Sequence, residues 1–366
     1  MKRLLIDARL GWGSGIGRFV ANVVPRVAAK LPDVTMTLRV HQTDGPRVHE
    51  AVALHDNLTV QESDVRPFTL SEQGVIPRAS RGYDLTWFTN YFVPLGFREP
   101  FVANVHDLLH QEPQLFATDP MKRMLSDLAF RHVARNARAV FYLSRFTRRS
   151  FEQRFGNPCN PCVVGCGIDH DGWRLFDPLK PPQKEPRLLI VAAAKQHKNF
   201  RIALDAFARA TIPPHWRLTI VTPDDELRSS INLGSLASVS AKIEFEQGLS
   251  NSALSEVYAR TAVVLMPSRY EGFGLPLAEG LQAGAQCIAS TASALIEVGQ
   301  GAHVTYVGPD DLEGWTGAIE TECHRFDAGQ VSNNERAANM RHALQYRWDD
   351  VADLTASVIN RVISSI

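Results

Sequence analysis

The chain alternates between short apolar runs and longer segments in which apolar positions recur at helical spacing. Runs at residues 4–7, 35–40, 85–88, 101–106 and 139–144 read as strands. Residues 17–30 read as a helix, with Pro25 in its interior as a candidate kink. Residues 121–138 read as a second helix, with mixed basic and apolar faces. A Pro- and Lys-rich stretch at 177–186 then breaks the pattern and reads as a linker. Beyond it the alternation restarts, with strands at 187–193, 217–221, 243–246, 262–266, 286–289 and 304–307. Helices are expected at 199–210, 251–259, 277–283 and, last, 349–363. Regular alternation of this kind predicts α/β domains with parallel sheets, here two: residues 1–176 and 187–348. In such sheets ligands sit beyond the carboxyl ends of the strands, so those ends are where chemistry is sought.

Composition narrows the function classes. The 366 residues suit two domains better than one. Lys plus Arg and Asp plus Glu are equal at 39 each, which argues against a nucleic-acid-binding surface spread over the molecule. No apolar stretch approaches the ~18 residues that span a bilayer, and Met1-Lys2-Arg3-Leu4-Leu5-Ile6-Asp7 reads as a strand rather than a signal peptide. A cytoplasmic protein is expected. Five cysteines, an odd number, argue against a full disulfide framework. Cys159, Cys162 and Cys166 with His170 offer zinc-type ligands, but their spacing is not that of a knuckle pair, and free thiols are the simpler reading.

The most informative segment follows the strand at 262–266. Pro267-Ser268 ends the strand, and Glu271-Gly272-Phe273-Gly274-Leu275-Pro276-Leu277-Ala278-Glu279-Gly280 comes next. Glu271 falls in a glycine-rich turn. Pro276 suits the first turn of a helix, Glu279 lies about one turn in, and Gly284 can end it. One carboxylate therefore stands on a loop and the other on the helix behind it, with helix N-terminal N–H groups between them as a seat for negative charge. A ligand with hydroxyls at both ends and phosphates between, such as a nucleotide sugar, fits this layout.

Glu-x7-Glu with Gly-Phe-Gly-Leu-Pro inside resembles the signature of the family 4 retaining glycosyltransferases, which have the GT-B fold. That resemblance implies two Rossmann-like domains facing a central cleft, with the C-terminal helix at 349–366 crossing back to the first domain. It implies no cofactor and catalysis without a divalent metal. It places Glu271 and the Gly272, Phe273, Gly274 and Leu275 backbone around the donor sugar, and Glu279 at the ribose hydroxyls.

Other residues join this reading. The glycines of Gly11-Trp12-Gly13-Ser14-Gly15-Ile16-Gly17 open the first helix, but their spacing is not the dinucleotide Gly-x-Gly-x-x-Gly. Gly15 and Gly17 best match the family's Gly-x-Gly near the donor diphosphate or acceptor. His106, in Val105-His106-Asp107 at a strand's carboxyl end, is assigned by the resemblance to the donor sugar hydroxyls. Asp107 is its candidate partner. Lys198, in Lys198-Asn199, matches the family's Lys-Asn, and a lysine at a helix start neutralises a departing diphosphate. Lys195 stands where arginine is usual and lacks the bidentate fork. Asp169-His170-Asp171 has the form of a metal-binding motif from another glycosyltransferase fold, but lies near the linker and is read as a decoy.

The pattern, including Asp7-Ala8-Arg9, looks most like bacterial surface-polysaccharide mannosyltransferases such as those of lipopolysaccharide synthesis. Transfer from a nucleoside diphosphate sugar, with GDP-mannose favoured, to a saccharide or lipid-linked acceptor is the resulting expectation. A sugar-nucleotide epimerase or hydrolase, or an inactive binding subunit, are the competing classes. Lys122, Arg123, Arg131, Arg135 and Arg138 on the 121–138 helix, continuing into Arg145, Arg148, Arg149 and Arg154, suggest contact with an anionic membrane.

Overall fold

The computed structural model describes residues 1–10, 15–45, 48–49, 55–67, 69, 71–112, 120–169, 172–193, 195–223 and 242–366. Residues 11–14, His170, Asp171 and Ala194 of the segments above lie outside these. The chain divides into two compact units: Met1–Gly167 with Arg347–Ile366, and Ile168–Tyr346.

In the first unit β1 (Lys2–Asp7) is followed by α1 (Gly15–Lys30), β2 (Val34–His41), β3 (Leu58–Ser63) and α2 (Glu72–Ala79). Then come β4 (Leu85–Phe88), β5 (Phe101–Val105), α3 (Pro120–Asn136), β6 (Ala139–Tyr142), α4 (Arg145–Phe155) and β7 (Pro161–Val163). The strands form one parallel sheet in the order β3-β2-β1-β4-β5-β6-β7. Every residue of β4, β5 and β6 is buried, because helices cover both faces of a parallel sheet. That burial is what makes their sequences mainly apolar runs, with Thr86 and Asn104 as the buried polar positions. The edge strands β3 and β7 are half exposed, carry no such run and were not anticipated. Pro25 lies inside α1 without ending it.

The second unit runs β8 (Glu185–Val191), α5 (Phe200–Arg209), β9 (Arg217–Val221), β10 (Ile243–Glu246), α6 (Asn251–Arg260) and β11 (Thr261–Met266). It continues with α7 (Leu275–Gln282), β12 (Gln286–Ser290), α8 (Leu295–Gly299), β13 (Val304–Val307), α9 (Leu312–Asp327) and α10 (Asn333–Ala343). Its sheet is also parallel, ordered β10-β9-β8-β11-β12-β13. Trp216, Trp315, Leu218, Ile220 and Val263 anchor its core. The Pro-rich stretch at 177–186 ends inside this unit, since Glu185 already belongs to β8 and Lys184 is buried.

The last helix, α11 (Trp348–Ser364), returns to the first unit and packs along α1. Trp348 is fully buried and meets Phe19 edge-on at 6.0 Å, while Lys30–Asp353 (2.6 Å) and Arg26–Asp349 (3.1 Å) pair across the same seam. The first unit is thus completed by the end of the chain. In each sheet the strand order reverses once, between β1 and β4 and between β8 and β11. Such reversals open the crevice in which α/β sheets hold ligands.

Candidate functional site

In the second unit the loops beyond β8, β11, β12 and β13 are tied to one another. Asn199, in the left-handed region at φ 54°, donates through its side chain to the carbonyls of Pro267 (3.2 Å) and Pro309 (2.7 Å). The Arg269 N–H donates to the His197 carbonyl at 2.7 Å, and the Ser290 hydroxyl donates to the Ser268 carbonyl. Ser293, also left-handed at φ 56°, accepts the Glu271 N–H at 2.7 Å. The result is a fixed turn at the β8/β11 switch point. There Lys198 Nζ and Glu271 Oε1 form an ion pair of 2.7 Å, with the two side chains 19% and 11% exposed. The structure therefore brings together two of the residues singled out from sequence, 73 positions apart. Lys195 opens the same loop but is exposed, its backbone N–H bonded to the Ala193 carbonyl at 2.8 Å.

Behind this pair, Gly274 takes φ 103° as the N-cap of α7, and a side chain there would run into Leu295. Pro276 sits in the first turn, as expected. Gly284 (φ 72°) ends the helix: its N–H bonds the Leu281 carbonyl, and the Ala285 N–H bonds the Gly280 carbonyl, a Schellman closure. Gly272 and Leu275 are half-buried, while the Phe273 ring is turned inward, edge-on to Tyr346 at 5.3 Å. Phe273 thus presents backbone, not its ring, to any ligand at the loop.

Glu279 is 1% exposed, and its Oε2 accepts the Tyr258 hydroxyl at 2.9 Å. Tyr258 was not flagged by sequence reasoning; on an amphipathic helix it is indistinguishable from a core aromatic. Lys184 also touches both helices, through their backbones, Nζ donating to the carbonyls of Tyr258 (3.0 Å) and Ala283 (2.7 Å). It therefore clamps the C-terminal ends of α6 and α7, and burial pushes its ammonium well below the ordinary lysine range.

In the first unit His106 follows β5 at the carboxyl edge of the sheet. Its Nε2 lies 2.7 Å from the Thr89 carbonyl, which only accepts, so Nε2 carries the hydrogen. Burial lowers its pKa, against the raising effects of that carbonyl and of Asp107, and the ring is neutral near pH 7. Its ring packs edge-on to Phe19 of α1 at 5.4 Å. Asp107 does not hold His106 as a hydrogen-bonded partner: its Oδ1 accepts the Leu109 N–H at 2.9 Å and caps the following turn. Gly15 begins α1 with open space where a side chain would be, and Gly17 is buried two residues on. At the end of β1, Arg9 grips Asp7 through two bonds of 2.7 and 2.8 Å and lies 3.5 Å from Glu72, all three nearly fully buried. This triad orders the β1 end and was legible only as the string Asp7-Ala8-Arg9. Cys159 is exposed, Cys162 half-buried and Cys166 buried, so the three thiols do not share one environment.

Residues 13–171 match the sequence family described as Glycosyltransferase Family 4, and residues 171–309 match Glycosyl transferases group 1. The chain carries two glycosyltransferase family domains. An MMP alpha-(1->4)-mannosyltransferase of Mycolicibacterium hassiacum is 27% identical over 207 residues, covering 56% of this chain and 49% of that protein. A D-inositol 3-phosphate glycosyltransferase of Mycobacterium leprae is 26% identical over 183 residues, 50% of this chain and 40% of that one. The matched part is thus about half of these relatives or less. Among solved structures, Anabaena HepE in complex with UDP and glucose superposes with a TM-score of 0.73 at 16% identity over the whole of both chains. A Thermosynechococcus elongatus sucrose-phosphate synthase gives 0.76 at 15% identity, again over the whole of both. WaaG, a glycosyltransferase involved in lipopolysaccharide biosynthesis, gives 0.70 at 15% identity over 97% of this chain and 99% of that one. At such identities the likeness establishes the fold, which is of GT-B type with two parallel-sheet α/β domains.

Proposed function

We propose that this protein is a retaining glycosyltransferase that moves a sugar from a nucleoside diphosphate donor to a hydroxyl of a saccharide or lipid-linked saccharide. The observation that carries this reading is the Lys198–Glu271 pair at the β8/β11 switch point, beside the N-terminus of α7. As the bond from the anomeric carbon to the diphosphate breaks, negative charge grows on the leaving oxygens. The reading gives Lys198 and the first N–H groups of α7 the task of meeting that charge. A lysine in this role supplies the positive charge that a divalent ion would otherwise bring, so the reading does not call for a metal. Glu271 is already engaged by Lys198, and Glu279 is held by Tyr258 in the helix behind it. Neither arrangement is that of two carboxylates flanking one bond, so no covalent nucleophile is assigned.

The reading gives Glu271 the donor sugar hydroxyls, together with the Gly272–Leu275 backbone, and gives Glu279 the ribose. In the first unit it assigns ligand contact to the neutral His106 ring and to the backbone at Gly15 and Gly17. Lys195, exposed at the loop start, is given a secondary place near the phosphates. The mannosyltransferase relative supports mannose as the sugar and GDP-mannose as the donor, and the lipopolysaccharide enzyme of like fold supports surface polysaccharide synthesis, at the inner face of the cell membrane, as the setting. Nucleoside diphosphate release from GDP-mannose and other sugar nucleotides, with and without a saccharide acceptor, tests the reading. Acceptor-dependent release that survives EDTA, gives a product of unchanged anomeric configuration and falls about a hundredfold or more in Lys198→Ala is expected. Turnover without acceptor would instead mark an epimerase or hydrolase, and no turnover at all a binding subunit.

A further inference from the structure

The first half of α3 reverses the usual polarity of a surface helix. Its inward face is Ser126, Ala129, Phe130 and Val133, all buried. The opposite face of such a helix is normally charged. Here Met121, Met124, Leu125 and Leu128 occupy it, exposed by 59, 51, 44 and 41%. Their i, i+3, i+4, i+7 spacing places them in one stripe along the helix. Single exposed apolar residues need no explanation, but a continuous stripe of four large ones marks a surface that something covers.

The charge around the stripe says what covers it. Residues 120–155 contain nine Lys or Arg and only two Asp or Glu, in a chain whose two signs balance at 39 each. Arg123 and Arg135 are exposed on α3 itself, and Arg131, paired with Asp127 at 2.7 Å, continues the outward face. A second copy docking through the same patch would set these positive surfaces against each other, since a two-fold contact repeats the patch on both sides. An anionic lipid surface offers an apolar layer for the stripe and phosphates for the guanidinium groups.

We propose that α3 is a membrane-docking helix that lies in the surface of an anionic bilayer. Met121, Met124, Leu125 and Leu128 enter the acyl boundary, and Arg131 and Arg135, on the flank of the stripe, engage lipid phosphates. The helix does not cross: among the described residues no helix is long and apolar enough to do so. This inference rests on the polarity of α3 and stands whether or not the transferase reading does.

The test is co-sedimentation of the full chain with vesicles of phosphatidylcholine alone and of phosphatidylcholine mixed with phosphatidylglycerol. The wild type is expected to sediment with the anionic vesicles and poorly with the neutral ones, and added salt is expected to weaken the binding. Met124→Glu/Leu128→Glu is expected to lower the partition at least tenfold, and Arg131→Gln/Arg135→Gln severalfold, both with a nearly unchanged melting temperature because the sites are on the surface. Should the Glu pair perturb folding, Leu128→Asn provides a milder probe of the same stripe. Absence of binding to anionic vesicles, or equal binding by wild type and the Glu variant, would overturn the proposal. So would sedimentation equilibrium showing a dimer that the Glu variant abolishes, which would make the stripe a contact between copies.

Discussion

The residues that matter most are those whose partners lie far away in sequence. Lys198 and Glu271 were each legible from their local strings, but their pairing follows from two loops meeting at one switch point. Asn199 was read only as the companion of Lys198. The structure shows it holding the Pro267 and Pro309 carbonyls from a left-handed backbone, a role without a local signature. His106 was recognised by its place at a strand end, whereas Thr89, which fixes its tautomer, is an ordinary polar residue until β4 and β5 are paired. The buried, neutral state of His106 has a consequence for pH. Its folded pKa lies below the ordinary value of 6.5, so below that pH the unfolded chain takes up a proton that the folded chain refuses. Its contribution is fully present above pH 6.5 and is lost as pH falls from there toward the folded pKa. His132, lowered chiefly by burial and also by Arg98, acts in the same direction. Melting temperatures measured between about pH 5 and pH 7 should therefore fall less steeply in His106→Gln than in the wild type. Equal slopes would mean that the folded ring protonates as readily as the unfolded one.

Among the elements of the first unit, the strands buried on both faces were readable and the two edge strands were not, whereas the edge strands β10 and β13 of the second unit were readable from their short apolar-containing runs. β4, β5 and β11 announce themselves because apolar residues dominate them, with a buried Asn104 in β5 as the strongly polar exception, whereas β3 alternates and β7 contains three half-buried residues. α9 and α10 were also missed; α10 in particular has little amphipathic pattern, with Asn339 buried at its centre, where its side chain accepts the His303 N–H at 2.8 Å. α7 was readable at both ends, from Pro276 and Gly284, but its fit against β11 was not. A methyl at Gly280 would lie 2.9 Å from Val264 Cγ2, so glycine is what lets the helix sit so close. The clamp on its far end, Lys184, came from a stretch read as linker, since Pro-rich composition hides a buried side chain. A neutral amine has two N–H donors, matching the carbonyls of Tyr258 and Ala283. Because burial depresses its folded pKa, the unfolded chain binds the extra proton below the ordinary value of 10.5, and folding is favoured as pH rises. The stability of the wild type should thus grow relative to Lys184→Met between about pH 7 and pH 9. Parallel stability curves for the two proteins would show that the amine stays charged when folded.

At the scale of the molecule, the two-domain α/β plan was legible because parallel sheets impose a rhythm of apolar strand and amphipathic helix. The exact division was not. Packing assigns residues from Ile168 onward to the second unit, ahead of the Pro-rich stretch, and returns the chain to the first unit at Arg347. The return is encoded in α11 itself, whose buried face from Trp348 to Ile363 needs an apolar partner, and α1 provides it. Sequence periodicity reveals such a face but not its partner. Both sheets reverse strand order in the same way, yet among the described residues only the second unit pairs a lysine and a glutamate at that point beside a helix N-terminus. The central claim is that this end of the second unit binds a nucleoside diphosphate sugar, with Glu279 at the ribose. Thermal unfolding in the presence of GDP, UDP, ADP and their sugar conjugates, with and without EDTA, tests it most directly. A ligand at a hundred times its dissociation constant raises apparent stability by about 2.7 kcal/mol, a readily measured shift. The account predicts a shift selective for one base that survives EDTA and disappears in Glu279→Ala when each protein is compared with its own unliganded state. No shift with any nucleotide, or one that Glu279→Ala leaves intact, would contradict it.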